Sequence, residues 1–413
     1  IENKYLGEKK ICPFEKGITR KAAKIGDIET LKLAYEKTTR DAAAKGHFEC
    51  LKYAHENGCP WDVSTAIYAA TNGHLKCLIY AHKNGCRWNI ETIINAALNG
   101  HYECLKYAHE NGCHWIKDIS KYAVIGGNLD CLKYAHEIGC SWDESITIAA
   151  ATYGRGNLDC LKFAHESGCP LDDGITIEAT VRGNLDILKY AHKNGCPLDD
   201  KITTVAIEKG YFEILKYVHK NGFPWHKRTT KVAASYGNLE FLKYAHENDC
   251  KWYEGTIVTA AMNDNLEILK YAHKNGCSWD YDTTRASAAS GCLDCLKYAH
   301  EKECPWHEAT LNTAAAHGNL DCLKYAYEHG YNWIVGTTRG AAANGRLDCL
   351  KYAIENGCEC DEGTTREAAA SGCIDCLIFA HKNGYKWDVG TKSAAAANGH
   401  LDCLKYVHEN GFK

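Results

Sequence analysis

The stretch Glu49–Asp62, with the sequence ECLKYAHENGCPWD, recurs with small changes along almost the whole 413-residue chain. Its leucine, Leu51, has an equivalent 27 residues further on at nearly every step up to Leu404, and an earlier copy at Leu31 makes fifteen. A period of about 20–50 residues is typical of proteins whose units cannot bury their apolar faces alone and must stack on their neighbours. We therefore expect one extended stack, with function on a surface rather than in a single pocket.

The unit Trp61–Arg87 illustrates how one copy is organised. Polar residues at its start offer capping oxygens, and Ala66–Asn72 is predicted to form a short, alanine-rich first helix. Leu75–Lys83 is predicted to form a second helix, because its apolar residues follow the i, i+3, i+4 spacing. A glycine follows each helix, where its access to left-handed conformations suits the C′ position. The sequence thus predicts an all-α solenoid of about fifteen stacked helix–turn–helix repeats.

Twenty-four cysteines fall mostly into two columns of equivalent positions. Ten share the column of Cys50 and ten share that of Cys59, but other copies hold residues such as Ile187 in the first column and Phe223 in the second. A buried small hydrophobe tolerates such replacements, whereas a disulfide partner or a metal ligand does not. We therefore interpret both columns as buried thiols. Thiols indicate a reducing compartment, so we predict an intracellular protein of the cytoplasm or nucleus.

Composition and motifs argue against several other classes of function. The net charge is −4, which is not the basic excess expected of a nucleic-acid-binding protein. The chain lacks the run of about 18 apolar residues that a membrane span requires. It also lacks a phosphate-binding GxxxxGK[ST] loop and any evident nucleophile–base arrangement. We predict a protein that is not an enzyme and has no cofactor, no nucleic-acid partner and no membrane contact.

A histidine column raises metal binding as an alternative, since twelve copies carry the equivalent of His55. Metal ligands must converge on one point, whereas Cys50 and His55 lie about 140° apart around a helix. The same column also holds Tyr327 and Ile354. We therefore interpret these histidines as inter-repeat contacts with one hydrogen-bonded nitrogen, and we predict no metal-binding residues.

The segment Gly399–Gly411, GHLDCLKYVHENG, matches the GHLEVVKLLLxxG segment of ankyrin repeats nearly position by position. The chain therefore resembles ankyrin repeat proteins over almost its whole length. It departs from the family in two ways: the TPLH opening is absent, as at Thr364–Glu367, and the period is 27 rather than about 33. The six missing residues are those of the β-hairpin finger, so we expect repeats without fingers. This short, Cys- and Trp-rich variety is similar to ankyrin-type proteins of giant DNA viruses of amoebae and of some protists. The resemblance to viral proteins extends the predicted location to the cytoplasm or nucleus of an infected host cell.

The resemblance implies a curved, two-layer helical scaffold that binds other proteins without catalysis. Without fingers, we expect binding on the concave surface of the first helices, where the residues six and five positions before the turn glycine vary within a fixed framework. Drift on an unused surface is the alternative explanation of that variation. The apolar and aromatic residues would act as anchors and the arginines would pair with acidic groups. The candidate residues are Ile67, Tyr68, Ile94, Asn95, Tyr122, Arg285, Arg339 and Arg366.

The domain prediction is a remnant of a preceding repeat at residues 1–17 and one continuous repeat domain at residues 18–413. We expect an irregularity at 37–38, where a loop is missing, and another at 150–156, where two additional residues should bulge a turn. Because the chain begins with isoleucine rather than methionine, we also expect further sequence before it.

The last copy has no polar capping repeat after it, although a cap is usual in stacked-repeat proteins. We therefore expect Cys403, Leu404 and Val407 to form an exposed apolar seam. Such ends make a structural role, in which chains stack end to end, the main alternative to partner binding.

Overall fold

The structure is a computed structural model that describes residues 39–140, 142–153, 157–334 and 336–410. The features predicted at 1–17 and at 37–38 lie outside these ranges, as do residues 154–156 of the irregular turn. The chain divides into two compact units, Ile1–Ile202 and Thr203–Lys413.

In chain order, the helices of the first unit are α1 (Phe48–Glu56), α2 (Ser64–Thr71), α3 (Leu75–Lys83), α4 (Ile90–Leu98), α5 (Tyr102–Glu110), α6 (Ile119–Gly126), α7 (Leu129–Glu137), α8 (Glu144–Thr152), α9 (Leu158–Glu166), α10 (Ile175–Val181) and α11 (Leu185–Lys193). The helix α12 (Ile202–Lys209) begins at the last residue of this unit. The following helices are α13 (Phe212–Lys220), α14 (Thr229–Ser235), α15 (Leu239–Glu247), α16 (Thr256–Met262), α17 (Leu266–Lys274), α18 (Thr283–Ser290), α19 (Leu293–Glu301), α20 (Thr310–His317), α21 (Leu320–Glu328), α22 (Thr337–Ala343), α23 (Leu347–Glu355), α24 (Glu362–Ser371), α25 (Ile374–Lys382), α26 (Val389–Ala397) and α27 (Leu401–Asn410). Even numbers denote first helices of the repeats and odd numbers denote second helices.

The all-α, helix–turn–helix prediction is confirmed: the described ranges consist of helices, turns and loops and contain no β-strand. None of the helices in these ranges is long and apolar enough to cross a membrane. The second helix Leu75–Lys83 has the predicted bounds. The first helix before it begins at Ser64, two residues earlier than predicted. The carboxylate of Asp62 accounts for the earlier start, because it accepts hydrogen bonds from the backbone N–H (2.6 Å) and the hydroxyl (2.7 Å) of Ser64.

Within each unit, the first helices of neighbouring repeats pack closely against one another, whereas neighbouring second helices contact each other less. Alanines make this close approach possible, since pairs such as Ala69 and Ala70 are fully buried and add only a methyl group between the helices. The recurring leucine of the second helix, for example Leu78, is also fully buried. The core of each unit therefore lies between the layer of first helices and the layer of second helices.

The turn glycine permits a contact between adjacent repeats. Gly73 has φ +73°, and a Cβ atom there would lie 2.4 Å from Nδ1 of His101 in the next repeat. The other ring nitrogen of His101 lies 3.0 Å from the carbonyl oxygen of Thr71 and caps the end of α2. An asparagine does the same one repeat later, where Asn128 donates to the carbonyl of Ala97 (2.8 Å). The Gly-His and Gly-Asn pairs of the sequence are thus joints between repeats.

The expected apolar seam on α27 is wrong for two of its three residues. Cys403 is 1% exposed, Val407 is fully buried, and Leu404 is half-buried. These side chains face the preceding helices α25 and α26 and join their core, so they do not point away from the stack. Leu401, at the start of the same helix, is the residue that is 58% exposed.

Candidate functional site

The variable positions of the first helices border the buried alanines and are accessible in the first unit. In α2, Ile67 is half-buried and Tyr68 is 41% exposed. In α4, Ile94 and Asn95 are half-buried, and the Asn95 side chain donates to the carbonyl of Glu91 four residues earlier (2.8 Å). In α6, Tyr122 is half-buried. Since α2 contacts α4 and α4 contacts α6, the structure places these predicted residues on three adjacent helices.

We call Ile67, Tyr68, Ile94, Asn95 and Tyr122 the α2–α6 face. Two further isoleucines hold equivalent positions in the same unit, and the sequence analysis did not single them out. They are Ile148 of α8 and Ile177 of α10, both half-buried. The signal for Ile177 was its position six residues before Gly183. For Ile148, the two additional residues before Asn157 changed the distance in sequence to the turn glycine, so its equivalence to Ile67 was not recognised.

The three predicted arginines of the second unit already form ion pairs within the chain. One pairs with a residue of its own repeat, and two reach the residue that caps the next first helix. The pairs are Arg285–Asp282, Arg339–Asp361 and Arg366–Asp388. The hydrogen bonds from the guanidinium groups hold the pKa values of all three carboxyls below their usual value. These arginines are therefore neutralised locally.

Glycines create the space for the two longer pairs. A Cβ atom on Gly363 would lie 2.3 Å from Nε of Arg339, and one on Gly390 would lie 2.7 Å from Nε of Arg366. Each guanidinium thus lies against the start of the next first helix, where a side chain would block it. The pairs Arg339–Asp361 and Arg366–Asp388 of the second unit therefore link adjacent repeats, whereas the α2–α6 face is mainly apolar.

The histidine column links the second helices of successive repeats. Nδ1 of His82 lies 3.1 Å from the hydroxyl of Tyr107, and the ring of Trp88 stacks on His82 at a centroid distance of 4.2 Å. The indole N–H of Trp88 donates to the carbonyl of Asn111 (3.2 Å). We call each such set a His–Trp–Tyr rung. The interpretation of the histidines as inter-repeat contacts is confirmed by nitrogen–hydroxyl distances of 2.8–3.3 Å in the pairs His55–Tyr80, His82–Tyr107, His109–Tyr134, His165–Tyr190, His219–Tyr244, His246–Tyr271, His273–Tyr298, His300–Tyr325 and His381–Tyr406.

We expect the protein to lose stability as the pH falls from about 6.5 to about 5. Burial lowers the pKa values of His55, His82 and His273 in the folded protein. The unfolded chain, with histidine pKa values near 6.5, therefore binds more protons in this window. The stabilisation is complete above about pH 6.5 and is lost as the pH falls from there through the lower folded values. Thermal unfolding followed by circular dichroism across this range measures the effect.

A double variant, His82→Tyr with His273→Tyr, provides the control for this prediction. Tyrosine is compatible with the position because Tyr327 occupies it in another repeat and stacks on Trp333 at 4.5 Å. The variant should show a shallower loss of melting temperature with falling pH than the wild type. Identical slopes for the two proteins would contradict a contribution from these histidines.

The cysteines of the two columns are mostly buried, as predicted, and their thiols are expected to be unreactive. Cys77 and Cys104 are 1% exposed, and burial raises the pKa of Cys104 to about 12. Such a thiol stays protonated at neutral pH and is a poor nucleophile. Cys50 is an exception, since it is exposed.

Three residues with metal-ligand chemistry come together elsewhere in the second unit. The ligand atoms of Asp264, Cys292 and Cys295 all lie within 4.8 Å of one another. The sequence analysis did not identify this group. The available signal was that Cys292 falls outside the two main cysteine columns.

One segment of the chain matches a model of a known protein family. Residues 40–82 match the family model described as ankyrin repeats (many copies). The match supports ankyrin-like repeats in this segment, which has the same helix–turn–helix pattern as the rest of the described chain.

Solved structures of other repeat proteins show distant likenesses to this chain. The human ASB11 ankyrin repeat domain is 15% identical with a TM-score of 0.37, covering 43% of this chain and 96% of that domain. The maize pentatricopeptide repeat protein PPR10, in complex with an 18-nt psaJ RNA element, is 14% identical with a TM-score of 0.36. That match covers 94% of this chain and 72% of PPR10. Both likenesses are too distant to carry a functional argument, and no curated protein matches the chain.

Proposed function

We propose that the protein is a non-catalytic scaffold that binds a protein partner through the α2–α6 face. The observation that carries this proposal is the row of accessible apolar and aromatic side chains on three adjacent first helices: Ile67, Tyr68, Ile94 and Tyr122. Aromatic side chains are enriched at protein interfaces, and the fully buried centre of an interface is mainly apolar. Ankyrin repeats are in general protein-interaction scaffolds, which agrees with this assignment.

The packing of the first helices suits them to this role. Their buried sides combine alanine and threonine or serine with a few aliphatic residues, and the backbone beneath the α2–α6 face is fixed by close helix contacts. Side chains on the open side can therefore change between repeats without disturbing the core. The second helices are less suitable, because their rings are engaged in the His–Trp–Tyr rungs.

The arginines of the second unit are proposed to add electrostatic contacts to the same partner. Exposed ion pairs contribute little to folding stability, so an acidic group of a partner can join or replace Asp361 beside Arg339 at small cost. The same holds for Asp388 beside Arg366. This contribution should depend on ionic strength, whereas the contribution of the isoleucines and tyrosines should not.

The decisive experiment is affinity capture from a cell extract with the full chain and an Ile67→Glu, Ile94→Glu double variant. We expect the double variant to lose its partner by at least about tenfold, since a well-packed anchor contributes about 2 kcal/mol to binding. The matched control is Lys76→Glu on the exposed side of α3, which changes the net charge by the same amount. Equal capture by the double variant and the control would refute the assignment.

The electrostatic contribution of the arginines is measured with a triple variant, Arg285→Glu, Arg339→Glu and Arg366→Glu. Capture of the partner should be weaker than for the wild type at low salt, and the difference should be smaller at high salt.

Light scattering over a concentration series tests the structural alternative, end-to-end assembly, in the same preparation. A mass that grows with concentration would favour end-to-end assembly over partner binding.

A further inference from the structure

We propose that Asp264, Cys292 and Cys295 form a binding site for a thiophilic divalent cation, with Zn²⁺ the ion that best suits two thiolates and one carboxylate. Their ligand atoms lie within 4.8 Å of one another, so small side-chain rotations would bring all three to the bond lengths of about 2.0–2.3 Å that one ion requires. The site contains none of the residues proposed to bind a partner, so the two proposals can be tested separately.

The two cysteines are held by the start of α19. Cys292 is the residue that caps this helix, and its Sγ accepts the backbone N–H of Cys295 at 3.1 Å. The backbone of α19 therefore fixes the position of the Cys292 sulfur at the start of the helix. Cys292 is 5% exposed and Cys295 is 0% exposed, so the protein shields both sulfur atoms from solvent.

The third ligand comes from the preceding repeat. Asp264 lies in the turn between α16 and α17, at the place where neighbouring repeats have the turn glycines Gly237 and Gly291. Residues at this place face the start of the second helix one repeat later, as Gly73 faces His101. The carboxylate of Asp264 is therefore brought to Cys292 by the stacking of the repeats. Because Asp264 is exposed, the ion can enter from solvent, and a water molecule can complete a four-coordinate shell.

The chain contains a matched pair of cysteines without this third ligand. Cys373 and Cys376 occupy the same places at the start of α25, and their sulfur atoms lie 2.7 Å apart. Gly345 stands where Asp264 stands in the other site, and a Cβ atom on it would lie 3.6 Å from Cβ of Cys373. Across the described part of the chain, Asp264, Cys292 and Cys295 are the one group in which three such ligand atoms come so close.

Binding of the ion replaces two thiol protons. One Zn²⁺ ion bonds to both sulfur atoms and to one carboxylate oxygen, and the two protons are released to solvent. The oxidation states of the metal and of both sulfurs are unchanged. Affinity should therefore rise with pH as long as the thiols are protonated in the metal-free protein.

The test is titration of the metal-free, reduced full chain with Zn²⁺ and with Co²⁺. We expect one tightly bound ion per chain, with a thiolate-to-cobalt charge-transfer absorption for Co²⁺. Cys292→Asn should weaken binding by at least about 100-fold, because changes even outside the ligand shell cost about 10- to 100-fold. Asparagine suits the position, since Asn265 and Asn319 occupy it in the adjacent repeats. Asp264→Gly, which restores the residue of the other turns, should also weaken binding.

The control is Cys373→Asn, which removes a thiol from the matched pair and should bind the ion as the wild type does. Far-UV circular dichroism shows whether each variant keeps its helices. The proposal is overturned if the wild type binds no stoichiometric ion. It is also overturned if Cys292→Asn binds the ion as tightly as the wild type, because the ion then sits on other thiols of the chain.

Discussion

Replacing Leu350 by alanine is expected to destabilise the protein by about 2–5 kcal/mol, as for buried leucines in general. Leu350 is fully buried in the core of the second unit and lies among other buried apolar residues such as Leu323 and Leu377. Its truncation removes apolar contact and leaves a cavity that the rigid helix pairs around it fill only in part. Urea denaturation followed by circular dichroism measures the loss.

The matched control for Leu350→Ala is Glu355→Ala, an exposed change at the end of the same helix. It should alter the free energy of unfolding by no more than about 0.5 kcal/mol. Because each repeat contacts mainly its neighbours, the Leu350 variant is also expected to broaden the transition by uncoupling the repeats on either side. A loss below about 1 kcal/mol would show that the recurring leucine is not the main core contact.

Replacing Trp252 by alanine is expected to cost about 2–4 kcal/mol, somewhat less than for a fully buried tryptophan. The ring stacks on His246 at 4.6 Å and meets Tyr271 edge-on at 6.4 Å. Its indole N–H donates to the carbonyl of Asn275 at 3.0 Å, which joins one loop to the end of the next second helix. The change therefore removes both an apolar contact and a hydrogen bond between repeats.

Trp252→Leu separates these two contributions. Leucine occupies the equivalent place in two other repeats, as Leu171 and Leu198, so it should pack there and recover more than half of the stability lost in the alanine variant. Thermal and urea denaturation of both variants provide the comparison. Equal losses for leucine and alanine would mean that the hydrogen bond, rather than the packing of the ring, stabilises this rung.

Much of the fold could be predicted because it depends on local pattern. The second helix Leu75–Lys83 begins and ends at the predicted residues, since its apolar spacing and flanking glycines define it within a few residues of sequence. The predicted bounds of the first helices were less accurate. Their starts depend on whether a side chain such as Asp62 turns back to cap the backbone.

Contacts between repeats were harder to predict because they depend on the register of the stack. The buried threonine hydroxyls are an example: Oγ1 of Thr338 lies 3.0 Å from Oγ1 of Thr364 in the next repeat. The recurrence of threonine at this place was visible, but its partner was not. The ion pair of Arg339 with Asp361 and the approach of Asp264 to Cys292 are set in the same way, by residues 22 and 28 positions apart.

The His–Trp–Tyr rungs have a consequence for how the chain can change in length. His136 and Phe163 keep the edge-on ring contact of the other rungs at 5.8 Å, although they are 27 rather than 25 residues apart in the sequence. The two additional residues lie in the sequence between the end of α8 at Thr152 and the start of α9 at Leu158, and they are not part of the contact. Insertions of foreign peptides into the turns between the helices, and removal or duplication of whole repeats, are therefore the alterations that the architecture accommodates most readily.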